Sequence, residues 1–210
     1  MAHTGQSAIE RAEYLSRGTL ESVIVLSLLT GWALSAFLSD LTREITALGN
    51  RWMGLVMIGK FPSLVSFFCI TLRLTFVQAD EERHSGDTPS NTPTQSGYAD
   101  IMGSVWVAAV AWGLSLAATL IGYRIGLEAN SLGDAGYLFH AVLLEAELTG
   151  LGRGLVRTMV IASVLGWLFH AHQRISLNLR MRPSTRMTGF LIIAAVIVLS
   201  AELIDSILFF

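Results

Sequence analysis

Long apolar runs separated by short polar stretches organise this chain. Five runs approach the roughly 20 mostly apolar residues that cross a hydrocarbon core: 20–39, 53–78, 101–123, 155–172 and 188–210. Lys60 and Pro62 interrupt the second run near its start. Proline removes a helical hydrogen bond and tends to begin or kink a helix, so residues 53–59 read as a separate half-segment.

The intervening stretches differ in kind. Residues 79–100 open with Asp80, Glu81, Glu82, Arg83 and His84 and continue rich in Ser, Thr, Pro and Gly. No apolar period survives there, which predicts an aqueous loop. Residues 137–149 read as a helix too short to span, carrying His140, Glu145 and Glu147, and placed at the interface. Near the N-terminus, Ile9, Ala12 and Leu15 share one side, while Glu10, Arg11, Glu13 and Arg17 bring charge. That is a surface-lying amphipathic helix rather than a cleavable signal. Residues 174–182 alternate polar and apolar, a period that suits a strand. At a membrane surface they read instead as a fraying helix end, stopped by Pro183. The pattern therefore predicts an all-α, polytopic transmembrane bundle of about five spans with short amphipathic interfacial helices, forming one membrane domain over 1–210.

Composition sharpens this picture. Of 210 residues, 52% are hydrophobic and 14% charged, against about 25% charged in soluble domains. The net charge of −2 gives no basic surface for nucleic acid. Lys60 is the one lysine; the other 13 basic residues are arginine. The single cysteine, Cys69, cannot form an internal disulfide, so the redox compartment is not readable. With five spans, Arg11, Arg17, Arg83, Arg174, Arg180, Arg182 and Arg186 share one side. Arg43, Arg51, Lys60, Arg124 and Arg153 share the other. The positive-inside rule then predicts a cytoplasmic N-terminus and an external C-terminus.

Candidate chemistry lies where the runs depart from plain apolarity. Small residues recur at spacing four: Ser27, Gly31 and Ser35 in the first span, Ala109, Gly113 and Ala117 in the third, and Ala162 and Gly166 in the fourth. Residues four apart share a helix face, and small side chains let backbones approach. Such stripes predict seams, either within the chain or between copies. Arg73 lies about 18 Å along a helix begun at residue 61. A guanidinium at that depth must snorkel or find a partner. Glu202 and Asp205 share one face of the fifth span, with Glu202 about 21 Å from residue 188. Together with Arg157 and Arg73 they define a candidate intramembrane charge centre.

His140 and His170 are weak candidates for haem held between helices. No metal site is predicted, and a haem or other pigment stays open as an alternative. His170 and His172 point about 200° apart on one helix, which prevents easy sharing of a metal. No phosphate loop, zinc-protease motif or nucleophile elbow occurs. The expected role is a non-catalytic subunit of a larger membrane-embedded assembly, with the bilayer and other membrane subunits or copies of itself as partners. The alternatives are a homo-oligomeric ion channel lined by the charges, and a small transporter.

Overall fold

The computed structural model describes residues 8–41, 60–84, 97–129, 136, 139–140, 143, 148–179 and 182–209. Six extended helices appear among the described residues, and no strand. They are α1 (Ala8–Ser16), α2 (Thr19–Leu41), α3 (Phe61–His84), α4 (Gly97–Ala129), α5 (Leu148–Asn178) and α6 (Pro183–Phe209). The all-α expectation holds. Four apolar stretches are long enough to cross a membrane: Ala12–Phe37, Ile101–Ala129, Leu151–Ser176 and Ser184–Ile204. The chain is to that extent compatible with an integral membrane protein. The apolar part of α3, Phe61–Phe76, is shorter.

Local chemistry sets the helix limits. Proline is tolerated in the first turn, where its missing N–H would find no partner anyway. Pro62 and Pro183 accordingly lie in the first turns of α3 and α6. Gly18 adopts a φ of 74° between α1 and α2, the left-handed conformation that commonly ends a helix. Three buried hydroxyls are satisfied within their own helices: Ser66 donates to the Pro62 carbonyl, Thr75 to that of Thr71 and Thr158 to that of Gly154. That back-bonding lets polar side chains sit among apolar ones.

Helices outrun the apolar spans, because backbone hydrogen bonding continues wherever side chains tolerate it. α3 passes residue 78 to reach His84, through Glu81, Glu82 and Arg83, all three good helix formers. α4 starts at Gly97. The aqueous loop expected over 79–100 is therefore helical at both ends, and residues 85–96 lie outside the described part. α5 continues to Asn178, so the alternating stretch is helical that far. Residues 53–59 are outside the described part. Of the expected interfacial helix over 137–149, residues 139–140, 143 and 148–149 are described, all helical.

The described chain falls into two compact units. One comprises Met1–Thr19, Phe67–Ala108 and Met159–Phe210. Its core joins Ala12 and Leu15 of α1 with Phe67, Ile70 and Leu74 of α3, and with Leu165 and Phe169 of α5 and Phe190 of α6. Phe169 meets Phe190 edge-on with ring centroids 5.4 Å apart. His172 Nε2 lies 3.0 Å from the Arg186 carbonyl oxygen. These pairs run in opposite senses, so α5 and α6 form an antiparallel hairpin.

The other unit comprises Leu20–Ser66 and Ala109–Thr158. In it α2 and α4 approach almost backbone to backbone. Ser27 Oγ and Ser115 Oγ are 2.8 Å apart. A Cβ on Gly31 would run into the Thr119 carbonyl, one on Gly122 into the Leu28 carbonyl, and one on Gly126 into Ser35. These pairings advance together along both helices, so α2 and α4 run parallel. In a bilayer, parallel neighbours require the intervening chain to cross back. α3 is the apolar helix available for that crossing among the described residues.

Candidate functional site

Arg73 is held by α1. Its Nη2 donates to the Tyr14 carbonyl oxygen at 3.0 Å, and its guanidinium carbon sits 5.3 Å from the Tyr14 ring centroid. Physical reasons converge here. The last carbonyls of a helix lack intrahelical donors, and the helix C-terminus carries partial negative charge. A cation there satisfies both, and the aromatic face adds an attraction of about 1 kcal/mol. Neighbouring carbonyls of the same turn are satisfied too. Ser16 Oγ and the Arg17 N–H donate to the Glu13 carbonyl, and Thr19 Oγ1 donates to that of Leu15. Leu15 and Thr19 are buried. α1 is thus docked by its apolar face and by a cap built around Arg73.

The arginine is not fully satisfied. Its Nε is buried without a hydrogen-bond partner among the described residues. Among the described residues, Arg73 makes a hydrogen bond and a ring contact with α1. Glu202 is half-buried on α6 in the same unit as Arg73. The Asp205 side chain lies outside the described part. Arg157 is half-buried and belongs to the other unit.

The small-residue stripes meet different surroundings. Ser27, Gly31 and Ser35 are buried on α2 and face α4. Ala162 and Gly166 are buried on α5. On α4 the face that meets α2 carries Ser115, Thr119, Gly122 and Gly126. The stripe of Ala109, Gly113 and Ala117 points elsewhere: Gly113 and Ala117 are exposed, and a Cβ on Gly113 would meet nothing within 4 Å. The α2–α4 seam therefore does not use this stripe. α4 is small-residued on several faces, and spacing does not say which one the neighbour occupies.

The histidines do not converge within one unit. His140 is exposed in one and His170 half-buried in the other. Among the described residues no group of three or more His, Cys, Asp or Glu has metal-ligating geometry. His172, which the spacing argument used only to exclude a metal, instead ties α6 to α5 through the Arg186 carbonyl. Gly189 leaves it room, since a Cβ there would lie 3.3 Å from His172 Cε1. Tyr14 and Thr19 carried no sequence signal as partners, although Gly18 marks the end of α1. Comparison of the chain with protein-family models, with curated proteins and with solved structures finds no match.

Proposed function

We propose that this protein is a non-catalytic integral membrane subunit that works within a larger membrane-embedded assembly. One observation carries the reading: α6. It is the most apolar candidate span, yet only 11% of it is buried within the chain, against 44% for α4. Phe190 and Ala194 face inward, while Ile192, Val196, Leu199 and Leu203 are exposed. A helix so little packed by its own chain offers a long apolar face to lipid or to another subunit. Arg73, within the apolar part of α3, is meanwhile committed to capping α1. The test is the mass of the chain purified in mild detergent from its native membrane. Co-purification with fixed partners and no ion flux in liposomes supports a subunit. A lone species that conducts ions refutes it.

The alternative is a homo-oligomeric pore lined by intramembrane charges. Half-buried Arg157 and Glu202 within the candidate spans favour it. It requires a defined homo-oligomer with flux that falls on Glu202→Leu.

A further inference from the structure

We propose that the tip of the α5–α6 hairpin is a binding surface for the phosphate groups of anionic lipids. The proposal rests on the integral-membrane reading above. Its first support is charge distribution. No Asp or Glu occurs between Glu147 and Glu202, yet that stretch holds Arg153, Arg157, Arg174, Arg180, Arg182 and Arg186. Four of the six fall within the 13 residues of 174–186. Four or more basic residues beside a membrane helix end attract anionic lipid surfaces.

Placement is the second support. The candidate spans end at Ser176 on α5 and begin at Ser184 on α6, so Arg174 and Arg182, within two residues of those ends, lie at headgroup depth once both helices cross. Arg174 on α5 and Arg182 before α6 are exposed, and so are the apolar Ile175 and Leu179. Arginines beside outward apolar side chains suit the boundary of a bilayer, with stems and apolar groups towards the acyl chains and guanidinium groups at the phosphates.

The tip is also braced. The His172–Arg186 contact at 3.0 Å and the Phe169–Phe190 stack pin the start of α6 to α5. Arg174 and Arg182 are therefore displayed from a fixed hairpin. Guanidinium forks bind phosphate oxygens two at a time, which a lysine ammonium cannot do. The chain uses arginine at every basic position but one.

The experiment takes the full chain in mild detergent with phosphatidylglycerol or phosphatidylcholine added at equal mole fraction. Native mass spectrometry counts the lipids retained. Phosphatidylglycerol is expected to be retained preferentially. Arg174→Gln/Arg182→Gln should weaken its retention roughly 25-fold, about fivefold per arginine, and Arg174→Lys/Arg182→Lys should recover part of it. The control Arg17→Gln/Arg124→Gln removes equal charge from exposed arginines paired with Glu13 and Glu128 and should change retention little. Equal retention of both lipids by the unaltered chain overturns the proposal, as does an equal loss in the control. Millimolar inorganic phosphate stripping the lipid would show a site for free phosphate and overturn it too. A chain that stays monodisperse without detergent refutes the integral-membrane reading instead.

Discussion

Replacing Gly31 by alanine places one methyl group where the backbones of α2 and α4 nearly touch. The new Cβ would lie 2.7 Å from the Tyr123 nitrogen and 2.9 Å from the Thr119 carbonyl carbon, and closer still to its oxygen. None of these atoms belongs to a side chain that can swing aside. The helices must separate by about 1 Å to restore van der Waals distance. That shift stretches the Ser27–Ser115 contact, 2.8 Å long, beyond hydrogen-bonding range. Overpacking costs about 1–3 kcal/mol, and an interhelical hydrogen bond in a membrane about 0.6–1.7 kcal/mol. The expected loss is about 2–4 kcal/mol, or roughly 5–15 °C in melting temperature for a chain of this size. Gly113→Ala is the internal comparison. It lies on the same α4 with open space around it and should be neutral or stabilising by up to about 1 kcal/mol. Thermal or denaturant melts of both variants in one detergent decide the matter. Equal melting temperatures for Gly31→Ala and Gly113→Ala would refute the seam.

Further outcomes follow from other contacts. Arg73→Leu should undock α1 at a cost of about 2–4 kcal/mol, the sum of a charge-assisted hydrogen bond and a cation–aromatic contact; trypsin cleavage at exposed Arg17 should accelerate. Tyr14→Leu keeps the accepting carbonyl and should cost less than Arg73→Leu, so equal costs would contradict the cap. Ser63 and Thr158 hydroxyls are 2.8 Å apart; a double-mutant cycle to alanine should give a coupling of about 0.6–1.7 kcal/mol, and additive losses would count against it. Phe190→Ala removes a fully buried ring against Phe169 and should destabilise by about 3–5 kcal/mol, read as an earlier melt.

Much of the architecture is written in the apolar runs, because a bilayer demands length and apolarity that few other structures need. The amphipathic N-terminal segment was legible from Ala12 and Leu15, both buried. Boundaries were less so: Glu81 and Glu82 look like loop residues by polarity but continue a helix. Within the candidate site, Arg73 stood out as a cation in an apolar run. Its partner did not, since a backbone carbonyl 59 positions away has no side-chain signature. Stripe spacing identified Gly31 as small among apolar residues, but could not choose between the Gly113 and Gly122 faces of α4. That choice depends on where α2 lies, which only the three-dimensional packing fixes.

The central claim is that α2 and α4 run in parallel; under the integral-membrane reading proposed above, that requires the chain between them to cross back, with α3 the helix available for it. Single cysteines at Arg17, Tyr98, Glu128 and Arg182, all exposed, test it in a background where Cys69 is replaced by alanine. A membrane-impermeant maleimide applied to sealed vesicles should label positions 17, 98 and 182 from one side and position 128 from the other. Labelling of positions 17 and 98 from opposite sides would contradict the account.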